Sequence, residues 1–320
     1  MTVSSAILCP GQGAQAVGMG RAWNEKSPAA AAVFKRADDV LGNALGKPLS
    51  ALCFDGPAEA LNKTNVSQPA IYVCSVACYR GLEEQGKLPP DVAAAAGLSL
   101  GEYTALHLAG AFSFEDGLQL VATRGRLMQE AAEASGGGMV ALIGAEPAQA
   151  EVLCSEVANG QILVCANYNA PGQIVLSGHL EACQRAVEEA KNMKLMAKPL
   201  TVAGAFHSPL MRSAAVAMAK ALAAAPMKTP NIPVYSNVTA EAHPMGEGDS
   251  GGGTGALELI RIRLVEQIVQ PVRWAESCQR MIAAGMIQYH ELAPGNVLRG
   301  LMRRIDRTAE VISHDEPDHA

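Results

Sequence analysis

The chain has 320 residues, 49% of them apolar and 18% charged, a balance that forms a sizeable core and excludes global disorder. That length corresponds to about two domains, or to one large domain carrying an insertion. A formal charge of −6 and an aromatic content of 4% exclude a dedicated nucleic-acid binder, which needs a basic stripe and stacking rings.

Alternating strand and helix signals predict an α/β architecture. Residues 3–9 read as a strand ending in the turn Pro10-Gly11-Gln12-Gly13. Helices are predicted over 27–41 and 68–85, and a small-residue strand over 91–96 runs into Gly97-Leu98-Ser99-Leu100-Gly101. The helix after it reaches residue 108 and closes at Gly110, a residue that tolerates the left-handed end of a helix. The next opens at Ser113, with Asp116 three residues on as a capping-box-like start, and runs to 134.

From there the pattern changes. A strand at 139–144, a helix at 147–157, strands at 161–168 and 173–177, a helix at 180–191 and a strand at 194–202 come in turn. That β-α-β-β-α-β order is the ferredoxin-like unit. It makes 135–203 an expected small subdomain, inserted into a core built from 1–134 and 204–320. The chain returns through Gly204-Ala205-Phe206-His207 to a helix with Ser208 as N-cap and Pro209 at N1. A strand at 232–236, a Gly-rich loop at 246–255, helices at 256–269 and 274–284, a strand at 286–292 and a helix from Asn296 complete the series. Residues after Ile312 read as a tail.

The eight cysteines include no CxxC pair, and no His/Cys cluster has zinc spacing, so no metal or cofactor is expected. Cys74 and Cys78, four apart on a helix, read as small core hydrophobes, and the usage suits a reducing compartment. No apolar run approaches the ~20 residues of a membrane span. The N-terminus enters strand-like sequence directly, so a transit peptide is expected to be absent or already removed.

Gly97-Leu98-Ser99-Leu100-Gly101 fits G-x-S-x-G between a predicted strand and a predicted helix. This is the context of a nucleophile elbow, where flanking glycines allow a tight turn that thrusts out the serine. The helix N-terminus behind it favours developing negative charge. Of the seven histidines, His107 reads as a packing residue, His243 borders the Gly-rich loop, His314 and His319 lie in the tail, and His179 and His290 have no supporting pattern. His207, just ahead of a capped helix that keeps its ring neutral, is the candidate base. Arg124 has Leu120, Val121, Leu127 and Met128 as its helical neighbours and so projects toward the core, whereas Arg126 faces out. A buried guanidinium needs an anion: either a structural salt bridge or a substrate carboxylate gripped by the fork. Gly11-Gln12-Gly13-Ala14-Gln15-Ala16 matches a dinucleotide fingerprint, but 17–47 lacks the second strand and acid that fold requires. The turn is better suited to aiming one backbone N–H of an oxyanion hole.

Together these pieces resemble the malonyl-CoA:acyl carrier protein transacylases of type II fatty-acid synthesis. The motifs run from Cys9-Pro10-Gly11-Gln12-Gly13-Ala14-Gln15 through GLSLGEY at 97–103, Arg124-Gly125 with Met128-Gln129, 167–177, GAFHSPLM at 204–211 and Gln267 with Pro271-Val272-Arg273-Trp274, to Ala293-Pro294-Gly295-Asn296-Val297-Leu298. The resemblance implies an α/β-hydrolase-like core with a parallel sheet and an inserted ferredoxin-like subdomain. It implies Ser99 as acylated nucleophile, His207 as base, Arg124 as malonate clamp, and the N–H groups of Gln12 and Leu100 as oxyanion hole. Gln267 would orient the histidine through its main-chain carbonyl, leaving a Ser–His dyad without an aspartate. Phe206 resembles the bulky residue that crowds a methyl branch on the acyl α-carbon. Leu98 and Cys9 stand where many bacterial members carry histidine and phenylalanine. GLSLGEYTAL looks more like plastid enzymes of plants and algae, so the plastid stroma is expected, with the bacterial cytoplasm as alternative.

The implied partners are malonyl-CoA and acyl carrier protein, with no nucleic acid and no membrane, and the chain is expected to be a monomer. The basic cluster Arg299, Arg303, Arg304 and Arg307, or Lys191, Lys194 and Lys198, would meet an acidic carrier; a solvated helix face is the other reading of either cluster. The rival enzyme is an esterase or thioesterase using the same dyad. Gln12-Gly13 ahead of the serine and an inward arginine both count against it. A catalytically idle carrier-protein scaffold, the remaining alternative, would have no use for Ser99, His207 and Arg124.

Overall fold

The computed structural model describes residues 4–246 and 253–317. Among them nine strands, numbered in chain order, form two sheets: β1 (Ser5–Cys9), β2 (Val92–Gly97), β3 (Gly137–Ile143), β4 (Leu163–Ala170), β5 (Gln173–His179), β6 (Met196–Pro199), β7 (Val234–Tyr235), β8 (Gln288–Leu292) and β9 (Glu310–His314).

The first sheet has the order β7-β2-β1-β8-β9, and every pairing in it is parallel. Parallel strands are covered on both faces, so they read as continuous apolar runs; β1 (SAILC) is buried throughout. Alternate residues feed opposite cores. Ile7, Cys9 and Ala95 join the larger cluster, and Ala6, Leu8, Ala94 and Ala96 the one under Trp274 and Tyr289.

The helix Thr64–Glu84 is apolar on nearly all sides, the mark of a helix with neighbours all round. It starts one turn earlier than the sequence predicts, because Gln129 on the neighbouring helix accepts from the Thr64 N–H at 2.9 Å and supplies a cap that no local residue offers. Pro69 therefore lies inside the helix rather than next to its first residue. Its partner, Phe114–Ser135, begins as predicted, with the Ser113 hydroxyl accepting from the Asp116 N–H at 3.0 Å. The two pack closely at Gly125, where a Cβ would lie 2.7 Å from the Thr64 carbonyl oxygen. That approach brings the adjacent Arg124 against Gln68.

The second sheet, β4-β5-β3-β6, is antiparallel throughout. Helices Pro147–Val157 and Leu180–Asn192 contribute to its separate core, which includes Val140, Leu142, Leu153, Leu176 and Ala186. β4 ties this sheet to the rest of the chain: the Tyr168 N–H donates to the Val272 carbonyl at 2.9 Å, and the Val272 N–H to the Ala166 carbonyl at 2.8 Å.

Three short helices, Arg21–Lys26, Leu49–Asp55 and Ala58–Leu61, escape the sequence reading because none is long enough to display a period. The expected tail is corrected: β9 pairs with β8 in register and forms the sheet edge, held by the Trp23 Nε1–H, which donates to the His314 carbonyl at 3.1 Å. Most of the expected Gly-rich loop, 247–252, lies outside the described residues, and the helix after it runs Gly253–Glu266, three residues ahead of expectation.

Where β2 turns into the helix Gly101–Leu108, the chain folds back on itself. A Cβ on Gly97 would lie 1.9 Å from the Gly101 carbonyl carbon, and one on Gly101 would lie 2.1 Å from the Cys9 carbonyl oxygen. Gly101→Ala should therefore cost about 3 kcal/mol or more of stability. Gly300→Ala, at a helical glycine with open space around it, should stabilise by about 0.5 kcal/mol. Urea midpoints of the two variants check this, and similar midpoints would remove the packing argument.

Candidate active site

β2 delivers the chain to Ser99, whose φ of 53° is the strained, left-handed value of an elbow. The turn holds because Asn237, just past β7, grips both sides of it. Its Oδ1 accepts from the Ser99 N–H at 2.6 Å, and its Nδ2 donates to the Gly97 carbonyl at 2.8 Å.

His207 Nε2 lies 2.8 Å from Ser99 Oγ, and Nδ1 lies 2.6 Å from the Gln267 carbonyl oxygen. A carbonyl only accepts, so Nδ1 carries the proton and Nε2 presents its lone pair to the serine. The ring is buried, and its pKa is pushed down to about 4, first by burial and then by the Arg124 charge, with the Gln267 carbonyl opposing. The neutral ring anticipated from sequence is present, for a different reason. A 3₁₀ turn, Pro209–Met211, separates His207 from the helix Arg212–Ala224, and burial rather than a helix terminus discharges the imidazole.

Arg124 is fully buried. Nη1 donates to Gln68 Oε1 at 2.7 Å, while Nη2 donates to Ser99 Oγ at 3.0 Å and to Gln267 Oε1 at 2.9 Å. Its Cζ lies 5.5 Å from the Tyr103 ring centroid, within cation–π range. Nε has no hydrogen-bond partner, and among the described residues no carboxylate forms a salt bridge with the guanidinium. Of the two readings the sequence left open, the structural salt bridge is not realised. Burial pulls the arginine's pKa below its usual value. Arg126 points outward, as expected, and pairs with Glu130 at 2.8 Å.

The turn after β1 packs on the elbow: the Leu98 N–H donates to the Cys9 carbonyl at 3.1 Å, and a Cβ on Gly11 would lie 2.2 Å from the Leu98 carbonyl oxygen. This sets Gln12 beside the elbow, its side chain donating to Thr64 Oγ1 at 3.3 Å. Leu100 is the residue before the helix Gly101–Leu108, and Phe206 is buried next to His207. Ser99, His207, Arg124 and Gln267 are thus joined by hydrogen bonds.

Three residues of this cluster, Gln68, Glu102 and Asn237, were not among the candidates the sequence offered, and a fourth, His243, was set aside as bordering the Gly-rich loop. Glu102, wholly buried three residues after Ser99, accepts from Gln267 Nε2 at 2.6 Å and from the Asn237 N–H at 3.0 Å, and its other oxygen lies 2.7 Å from His243 Nε2. The available signal was a carboxylate one helical turn past the elbow serine, the one acidic residue of the helix Gly101–Leu108. The other histidines stand apart. His107 packs against Phe112, His179 accepts from the Ile162 N–H, and His290 bonds His314, which belongs to β9; His319 lies outside the described residues. All eight cysteines are buried and unpaired. Among the described residues no group of three or more His, Cys, Asp or Glu could hold a metal, and no helix is long and apolar enough to cross a membrane.

A hydroxyl in contact with a neutral imidazole, on an elbow beside a buried cation, is equipped for acyl transfer through a serine ester. The comparisons agree with that class. The family model of the acyl transferase domain matches residues 7–314, and the chain belongs to this family. It is 39% identical over 315 residues to the malonyl CoA-acyl carrier protein transacylase of Bacillus subtilis, covering 98% of this chain and 94% of that protein. The solved malonyl CoA-acyl carrier protein transacylase of Coxiella burnetii superposes with a TM-score of 0.91 at 37% identity, over 99% of this chain and 95% of that one. A solved complex of a type II PKS acyl-carrier protein with its malonyl-transacylase matches with a TM-score of 0.89 at 37% identity, over 98% and 96% of the two chains.

Because burial and Arg124 both act on His207, its ring should stay neutral as pH falls until about 4. Removing the nearby cation in Arg124→Ala should raise that titration toward the ordinary histidine value. Imidazole NMR signals followed against pH check this, and an unmoved titration in the variant would show that burial acts alone.

Proposed function

We propose that the chain transfers a malonyl group from malonyl-CoA to the phosphopantetheine thiol of acyl carrier protein, through a malonyl ester on Ser99. The observation that carries this reading is the buried Arg124 guanidinium, 3.0 Å from Ser99 Oγ and, among the described residues, in no salt bridge with a carboxylate. A malonyl group is an acyl chain ending in a carboxylate, and that carboxylate would supply the missing anion. The names of the relatives support the same substrate and acceptor.

Ser99 Oγ attacks the thioester carbonyl while His207 Nε2 takes its proton. The Gln12 and Leu100 N–H groups receive the developing oxyanion. Collapse breaks the carbon–sulfur bond, and the departing CoA thiolate takes the proton from His207. The carrier thiol then repeats the sequence in reverse, giving ping-pong kinetics. Gln267 holds both the base and the clamp, and Phe206 crowds an α-methyl branch. We take 135–203 as the small subdomain and 1–134 with 204–320 as the core. The Bacillus subtilis and Coxiella burnetii relatives are bacterial, which supports the bacterial cytoplasm over the plastid stroma.

Intact-mass measurement after mixing with malonyl-CoA should give a malonyl increment that Ser99→Ala abolishes; an increment persisting elsewhere in the chain would overturn the assignment. Arg124→Ala should lose malonyl transfer by about a thousandfold while acetyl transfer falls less, because only malonate offers a carboxylate to the fork. Equal losses would make Arg124 structural. Release of malonate to water faster than transfer to carrier would favour the hydrolase alternative.

For the carrier, the arginine cluster is the better supported of the two candidate surfaces. Arg303, Arg304 and Arg307 line an open groove of about 710 Å³ with Gly300 and Pro171, the last from the turn between β4 and β5. The helix Val297–Ile305 ends before Arg307, so that residue reaches the groove from the turn beyond the helix rather than from the helix face the sequence suggested. Charge reversal in Arg303→Glu/Arg304→Glu should slow malonyl transfer to carrier and leave Ser99 acylation by malonyl-CoA unchanged. A carrier step indifferent to both these substitutions and salt would remove this surface.

A further inference from the structure

His243 borders the Gly-rich segment, and no step of the proposed reaction uses it. Its side chain and that of Glu102 are both completely buried, with His243 Nε2 2.7 Å from Glu102 Oε1. The ring's other nitrogen has no hydrogen-bond partner, while the backbone is fixed by the His243 N–H, which donates to the Val234 carbonyl at 2.8 Å. Among the described residues Glu102 Oε1 has no other partner. The contact therefore holds one end of that carboxylate, while the Asn237 N–H donates to the other oxygen at 3.0 Å.

The orientation matters because of what the second oxygen holds. Glu102 Oε2 accepts from Gln267 Nε2 at 2.6 Å, and the same Nε2 donates to the Ser99 carbonyl at 2.9 Å. With the amide nitrogen so engaged, Gln267 must present its oxygen to Arg124, which it does at 2.9 Å. Were the amide turned over, its NH₂ would face the guanidinium and its oxygen the carboxylate, two like-with-like contacts in a buried site. Without His243, Oε1 becomes a buried acceptor with nothing to accept from. Rotation of the carboxylate relieves that cost and loosens Oε2 from Gln267 and from the Asn237 N–H.

We propose that His243 is a positioning residue for acyl selectivity: by holding Glu102 it fixes the Gln267 amide, and thereby the Arg124 fork beside Ser99. The inference rests on the malonyl-transfer reading and deepens it. It assigns His243 no contact with substrate, and it separates the two duties of Gln267. The backbone carbonyl that orients His207 does not depend on the amide's direction, whereas the grip on Arg124 does. The loss should therefore fall on malonyl transfer more than on acetyl transfer.

The test compares His243→Leu and His243→Met, which cannot donate, with His243→Gln, which can. Single-turnover acylation of Ser99 is read by intact mass with malonyl-CoA and acetyl-CoA. The malonyl-to-acetyl rate ratio should fall about tenfold in the apolar variants, with a raised KM for malonyl-CoA, and stay within about threefold of wild type in His243→Gln. In a Gln267→Ala background, His243→Leu should lower the ratio no further. Equal losses for both acyl groups, or a full additional fall in the Gln267→Ala background, would overturn the proposal. So would failure of both apolar variants to fold while His243→Gln folds, since the pair would then belong to stability. Failure of the parent reading is distinguishable: wild-type protein would then take no malonyl group on Ser99.

Discussion

A fully buried guanidinium with no direct salt-bridge partner among the described residues, reached by Glu102 only through Gln267, is the constraint around which this site is arranged. Arg124 is surrounded by neutral acceptors and a ring face: the oxygens of Gln68, Gln267 and Ser99, and Tyr103. Such partners orient a charge without neutralising it, so the cost of burial is only partly offset. A protein retains an arrangement of this kind where the missing anion arrives with a ligand. A resident carboxylate on the fork would be more stable and would occupy the place proposed for the substrate.

The same burial acts on every group nearby. It removes the proton from His207 while the adjacent cation pushes in the same direction, so the base is neutral over the pH range in which a cell works. A malonyl carboxylate on the fork would cancel part of the Arg124 charge and ease formation of the imidazolium during attack. Substrate recognition and base strength would then be linked through one electrostatic contact, with no conformational change required. The backbone meets a parallel demand, since Ser99 and His207 both hold a positive φ, at 53° and 55°. Two strained residues face each other, and Asn237 and Gln267 keep them there.

Much of this was legible in the sequence. Strands β1 and β2 could be read as short apolar and small-residue runs, the antiparallel unit as a change of rhythm after Gly136, and the elbow as two glycines around Ser99. Arg124 could be placed on a buried face from its helical neighbours alone. The hidden parts depended on contacts between distant segments. Thr64 starts its helix because Gln129 lies across from it, β9 is a strand because β8 and Trp23 receive it, and Glu102 matters because Asn237, His243 and Gln267 converge on it from more than a hundred residues away. No local period reports such partners. His207 is the instructive case: its neutrality was anticipated from a helix start, and the cause lies in burial and a charge contributed by another helix.

The central claim, that Arg124 waits for the carboxylate of the acyl group, is tested most directly by binding without reaction. Calorimetric titration of Ser99→Ala with malonyl-CoA and with acetyl-CoA removes chemistry and leaves recognition. Malonyl-CoA should bind about tenfold tighter or more, an advantage of roughly 1.4 kcal/mol or greater. Equal affinities for the two thioesters would contradict the claim and leave the buried guanidinium without a ligand.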